Sequence, residues 1–180
     1  MTDILIVAAT EQELCGHAGL VCGVGPVEAA VTTAGALAAT PARAVLHVGI
    51  AGAHRASGLV PLRLVLGSVA IYEDLRLTTG LAPKEASPDE GLLKTALEVL
   101  PEAVLLPIGT TGRVGGGSEC PVEAMEGFAV LRASALAGVP AVELRAISNL
   151  VEDARAGWRI EEALAVLAEA IPRLLAALSL

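Results

Sequence analysis

The stretch 142-VELRAISNLVEDAR-155 starts as an apolar run, carries a cation at Arg145, and breaks at Ser148 and Asn149 into a burst of charge. A short apolar segment closed off by polar residues suits a strand buried on both faces, so 141–147 is expected to be one. Asn149 is the only asparagine in the 180-residue chain, and Gln12 is the only glutamine. A chain that avoids side-chain amides elsewhere sets one at the end of this strand. Arg145, flanked by Leu144, Ala146 and Ile147, needs a partner, because an unpaired guanidinium inside a protein is costly.

The same apolar pattern recurs upstream at 3–9 (DILIVAA), 20–24, 43–50 (RAVLHVGI), 64–72 and 103–108. Helical patterns separate these strands. Pro26 opens a helix over 27–39, with Glu28 favouring its N-terminal end. Ser87 or Asp89 caps a helix that reaches Leu100, and another over 126–137 is stopped by Gly138 and Pro140. The last helix covers 159–178 and is expected to bend at Pro172. Residues 51–53, 78–90 and the glycine-rich 109–118 (GTTGRVGGGS) read as loops, with Gly115, Gly116 and Gly117 taken as plain loop flexibility. GVGPVEAA (23–30) lacks the third glycine of a dinucleotide fingerprint and reads as a tight strand-to-helix turn.

Strands alternating with helices, with no repeat and no linker, predict one α/β domain over residues 1–180 with a largely parallel sheet. Ligands of such sheets gather at the carboxyl ends of the strands. Those ends carry Glu11, Gln12 and Glu13, residues 49–52, the 109–118 loop, and Ser148 with Asn149. The polar residues converge on one edge.

Composition narrows the class. Hydrophobic residues make up 54% of the chain but aromatics only 2%, so an aromatic wall for a ligand must come from Tyr72, Phe128 or Trp158. A net charge of −8 argues against nucleic-acid or anionic-membrane partners, which need clustered cations. Glu28, Arg132, Glu169 and Arg173 interrupt the longest apolar runs, so no membrane span is expected. The first apolar run carries Asp3 and no basic flank, unlike a secretory signal. Three irregularly spaced cysteines (Cys15, Cys22, Cys120) read as reduced thiols of a cytoplasmic protein. His17, His47 and His54 fit no standard zinc spacing, and His47 lies inside an apolar strand.

Taken in order, five segments resemble the nucleoside phosphorylase/nucleosidase superfamily, over nearly the whole chain. ILIVAATEQEL is similar to the first-strand signature of the methylthioadenosine/S-adenosylhomocysteine nucleosidases, GVGPVEAA to their second-strand turn and VGIAGA to their ribose-side loop. VEAMEGFAV resembles their Met-Glu ribose motif, and VELRAISN their R-A-I-S-D strand end. VEAMEG, RAISN followed by VED-R, and Trp158 look most like the futalosine hydrolase branch. The resemblance implies a three-layer α/β/α, phosphorylase/hydrolase-like fold with a mixed, mostly parallel sheet flanked by helices. It also implies a homo-oligomer, a purine nucleoside substrate, and no metal or other cofactor. The implied reaction is hydrolysis of the N-glycosidic bond of futalosine.

By position, Glu13 matches the glutamate that accepts the proton of the attacking water, and Arg145 the arginine that positions that water. Glu126 matches the acceptor for ribose hydroxyls, with Met125, Ile50, Ala51 and Gly52 along the sugar. Phe128 is a further candidate binding residue. Ile50 stands in the place of a family serine, and Asn149 where the adenine-cleaving enzymes have an acid. An amide cannot act as that acid, but its N–H groups suit the neighbouring O6 and N7 acceptors of hypoxanthine. TEQEL supplies carboxylates where a phosphorylase needs cations, which favours water as nucleophile. The alternatives left are a methylthioadenosine/S-adenosylhomocysteine nucleosidase, a purine nucleoside phosphorylase and a non-catalytic nucleoside-binding protein.

Overall fold

A computed structural model describes residues 2–76 and 80–179; of the loop expected over 78–90, residues 78 and 79 lie outside the described part. Among the described residues eight strands form one sheet: β1 (Thr2–Ala8), β2 (Leu20–Val21), β3 (Ala42–Ala53), β4 (Leu64–Tyr72), β5 (Glu85–Ala86), β6 (Val104–Thr110), β7 (Val122–Ala124) and β8 (Ala141–Leu150). The same described residues form four α-helices: α1 (Pro26–Ala39), α2 (Glu90–Val99), α3 (Gly127–Leu136) and α4 (Ile160–Leu178). Five strand pairings are parallel and three, β3 with β7, β4 with β5 and β4 with β8, are antiparallel. Pairings run from β3 through β8, β4, β6 and β7 back to β3, so these five strands close into a ring, with β1 and β2 extending the sheet beyond it.

Strand alternation sorts the side chains into layers. Ile6 and Leu46 join a cluster with Leu66, Leu144, Leu167, Ile171 and Leu174, beneath α2 and α4. Their neighbours Val7 and Val45 face the opposite way, against Ala29, Leu37, Val130 and Leu131 of α1 and α3. A third cluster, Val65, Ile108, Val122 and Ile147, joins strands of the ring. Ala163, Leu167, Ala170, Ile171, Leu174 and Leu178 form the buried stripe of α4, at the three- and four-residue spacing of an amphipathic helix. Each large aliphatic so buried contributes about 1.5–3 kcal/mol. No described helix is long and apolar enough to cross a membrane.

Several boundaries differ from expectation. Residues 51–53 are not a loop: β3 continues to Ala53, because a bulge between Ala51 and Gly52 hands its end to β7 while it stays paired with β8. For the same reason Ser148 and Asn149 lie within β8 rather than beyond it; Asn149 pairs with Gly52. Strand β7 is an addition to the strands the sequence pattern predicts, and β5 falls inside the segment expected to be loop. Asp89, rather than Ser87, caps α2, its Oδ1 accepting from the Leu92 N–H at 2.9 Å. Gly23 and Gly25 adopt φ of 84° and 92°, which leaves only residues 20–21 of the expected second strand as strand and starts α1 at Pro26.

Candidate active site

The first strand ends in a short 3₁₀ turn, Gln12–Leu14, that sends Glu13 inward. Its left-handed cap, Cys15 at φ 50°, is a conformation most side chains avoid, so the turn is held by its surroundings. Glu13 is 7% exposed. Its Oε2 accepts from the Thr10 N–H (3.1 Å) and hydroxyl (2.9 Å), and its Oε1 from the Ile50 N–H (2.9 Å). Ile50 thus meets the carboxylate through its backbone, its side chain being apolar.

Behind Glu13 lies a buried charge cluster. Arg145 and Glu143 sit two apart on β8 and so share a face; Glu143 is directly paired in register with His47 of β3, and Arg145 with Gly49. Arg145 Nε donates to Glu143 Oε1 at 2.8 Å, and Nη2 meets His47 Nε2 and lies 3.5 Å from Glu126 Oε2. His47 Nδ1 faces the Val7 carbonyl at 3.0 Å, which can only accept. The proton is therefore on Nδ1, and Nε2 is free to accept from Arg145. Burial, and then the Arg145 charge, holds His47 well below its ordinary pKa, consistent with that neutral tautomer.

The single guanidinium serves three carboxylates, and the benefit is unevenly shared. Burial alone would lower the pKa of Arg145, but Glu143, Glu126 and Glu13 outweigh it and raise it. Glu126, 4% exposed, is still held above the usual carboxylate range by burial, despite Arg145 and the Gly25 N–H at 3.1 Å. The glycine turn at 23–25 is thus a device that aims a backbone donor at Glu126.

A cavity of about 310 Å3 opens at the carboxyl ends of the strands. Of the residues expected to act or bind, Glu13, Asn149, Met125, Glu126, Ile50, Ala51 and Gly52 all line it. Arg145 does not: it is wholly buried beneath the cavity floor, touching the lining through Glu126 and, at 3.5 Å, the Ile50 carbonyl. Phe128 does not either; it stacks on Tyr72, ring centroids 5.3 Å apart, on the side of α1 and α3. Trp158 is the aromatic that reaches the cavity.

Asn149 is held in one orientation. The Leu150 carbonyl can only accept, so the Nδ2 contact at 3.0 Å fixes the amide nitrogen there, and Oδ1 accepts from the Ser148 hydroxyl at 2.8 Å. One N–H of the amide is left without a partner among the described residues. The side chain therefore offers the cavity a donor and keeps its acceptor occupied.

Glu143 and Thr10 have no place in the sequence reading, His47 enters it only as a residue inside an apolar strand, and Ser148 only as part of the polar strand end. For Glu143 a signal existed, since VELR places it on the same strand face as Arg145. Glu123 Oε1 accepts from the Gly115 N–H (2.8 Å), and Oε2 from those of Gly117 (2.8 Å) and Ser118 (3.0 Å). Gly115 and Gly116 take φ of 83° and 73° to allow this, so the triple glycine is a wrapped anion nest and not mere slack.

A closed mixed sheet between helix layers, with a carboxylate-lined cavity at its strand ends, defines the class. The family model described as the phosphorylase superfamily matches residues 17–120. The chain is 35% identical to the futalosine hydrolase of Streptomyces coelicolor, over 86% of this chain and 77% of that protein. It is 34% identical to the futalosine hydrolase of Thermus thermophilus, over 89% and 82% respectively. Among solved structures, the futalosine hydrolase of Helicobacter pylori strain 26695 superposes with a TM-score of 0.86 at 18% identity, covering 97% of both chains. The Streptococcus pneumoniae MTA/SAH nucleosidase in complex with 8-aminoadenine also gives 0.86, at 22% identity, over 98% of this chain and 100% of that one. The chain belongs to the futalosine hydrolase family of the phosphorylase superfamily.

Proposed function

We propose that this chain hydrolyses the N-glycosidic bond of futalosine, releasing hypoxanthine and dehypoxanthinyl futalosine. The observation that carries the reading is Asn149, an amide on the cavity wall with its oxygen occupied and an N–H free. Hypoxanthine presents O6 and N7 as acceptors, and the free N–H can bond to one of them. Adenine would set an amino donor against it and leave a buried group unpaired, a mismatch that can discriminate by orders of magnitude.

In this reaction Glu13 takes a proton from water as the water oxygen bonds to C1′ of the ribose. The C1′–N9 bond breaks, its electron pair leaves with the purine, and the proton taken from water is passed on to the departing base. General-base help of this kind is worth about 10²–10⁴-fold. Glu126 accepts from ribose hydroxyls beside Met125, while Ala51 and Gly52 let the sugar approach the backbone. Arg145, beneath the floor, is a positioning residue that acts through Glu126 and the Ile50 carbonyl. Residues 1–180 act as one nucleosidase domain in the cytoplasm, where the three free thiols are at home. A homo-oligomer is supported by the exposed apolar residues Val27, Val31 and Leu136 on α1 and α3.

The test is hypoxanthine release from futalosine, followed with and without phosphate and beside inosine, aminofutalosine and methylthioadenosine. Release independent of phosphate and selective for 6-oxopurines is expected. Strict dependence on phosphate would make the chain a phosphorylase, and equal cleavage of methylthioadenosine would remove the specificity argument.

A further inference from the structure

Beyond the reacting end, the cavity is lined by Arg113, Val114, Arg155, Trp158, Ile160 and Leu164, a mixture of cations and apolar surface with no described role. Arg155 stands out there by what it lacks. The acids that precede it are already engaged: Asp153 Oδ1 accepts from Arg55 Nη2 at 2.6 Å, and Glu152 accepts from the Arg55 N–H at 3.1 Å and lies 3.5 Å from His54. Arg159, the next arginine along, pairs with Glu162 at 3.0 Å and does not line the cavity. Arg113 donates to the Gly116 carbonyl of its own loop. Among the described residues no carboxylate lies within ion-pair distance of Arg155.

What Arg155 does have is an aromatic partner. Its guanidinium carbon lies 5.1 Å from the centroid of the Trp158 ring. The indole is itself fixed, donating from Nε1 to the Asp153 carbonyl at 3.3 Å. A guanidinium without an anion, laid on a fixed aromatic at the wall of a nucleoside-sized cavity, complements a flat group that carries a negative charge. Arginine binds carboxylates through two parallel N–H donors, and the indole supplies the apolar surface beside them.

We propose that Arg155, backed by Trp158, is the subsite for an aryl carboxylate on the 5′ arm of the nucleoside, and that it sets specificity for that arm. This rests on the hydrolase reading, since futalosine ends its 5′ arm in such a group. It deepens that reading by assigning substrate choice to two separate places, Asn149 for the base and Arg155 for the arm. A neutral arm leaves the guanidinium to water, and a cationic arm is repelled.

The experiment compares futalosine with its methyl ester, which keeps the arm and removes the charge, on wild type, Arg155→Met and Arg155→Lys. Charge-assisted hydrogen bonds to one carboxylate predict that wild type prefers the acid about ten- to a hundredfold in kcat/KM, carried mainly by KM. Arg155→Met should bring that ratio to within about twofold of unity, and Arg155→Lys should keep part of it, as a point charge does. An unchanged ratio in Arg155→Met, or no preference in wild type, overturns the subsite. If wild type releases no base from either compound, the hydrolase reading fails separately. Calorimetric affinities for the same two compounds then decide the subsite by the same ratio.

Discussion

Asn149 is where a one-atom change tests the chemistry. Asn149→Asp keeps the shape but puts an oxygen against the Leu150 carbonyl, where the amide now donates. When ionised it also presents a charge to O6 and N7 of the base. Removing the donor and adding a repulsion predicts a fall in kcat/KM for futalosine of about a hundredfold, with the ratio of adenine to hypoxanthine nucleosides moving towards adenine. Unchanged kinetics on the substrate panel would take Asn149 out of the site. This residue was legible beforehand because a lone amide ending an apolar run has few structural reasons to exist, and Arg145 was legible for the matching electrostatic reason. His47 was not, because an imidazole in an apolar strand looks alike whether it fills the core or accepts from an arginine; only the Val7 carbonyl at its other nitrogen distinguishes them. Phe128 stands outside the cavity lining. Among three aromatics, sequence could not tell that Tyr72 would stack with it away from the cavity.

At the level of elements, the register of β3 against β8 does the positioning, and a glycine makes room for it. A Cβ on Gly127, the first residue of α3, would meet the Glu143 carboxylate, with Cδ 2.7 Å away. Glu143 is wholly buried and grips Arg145, so it has nowhere to retreat. Gly127→Ala is expected to cost about 1–3 kcal/mol by overpacking and to lower kcat by displacing Glu143 from Arg145. Gly35, exposed within α1 with nothing within 4 Å of its Cβ position, is the contrast: Gly35→Ala should gain about 0.5–1 kcal/mol. Denaturant midpoints of the two variants and wild type test the pair, and a Gly127→Ala protein as stable as wild type would refute the packing argument. Long apolar strands and capped helices announced themselves by periodicity. Strand β7 could not, being three residues between a glycine loop and the Met-Glu motif. The continuation of β3 through 51–53 was hidden too, because small residues read as loop unless the strand that pairs with them is known.

For the molecule as a whole, the uneven sharing of Arg145 sets stability and activity against each other in pH. Glu126 has a folded pKa raised above its unfolded value, chiefly by burial. The folded state therefore holds this proton more tightly than the unfolded state does. Its contribution to stability is fully present below the unfolded pKa and is lost as pH rises through the folded one. The proposed reaction runs the other way, since Glu126 must be ionised to accept from both ribose hydroxyls. The acid limb of kcat/KM should then lie above the usual glutamate range and fall as pH drops through it. Glu126→Gln removes the ionisation and keeps the shape. Its activity should drop by about ten- to a hundredfold, as expected for losing hydrogen bonds to a charged acceptor, and that acid limb should flatten. Its stability relative to wild type should rise with pH across the same window, because only wild type ionises a buried carboxyl there. Denaturant unfolding of both proteins at several pH values, beside their kcat/KM profiles, measures the two trends together. A variant whose stability relative to wild type is constant or falling over that window would show that Arg145 compensates Glu126 in full.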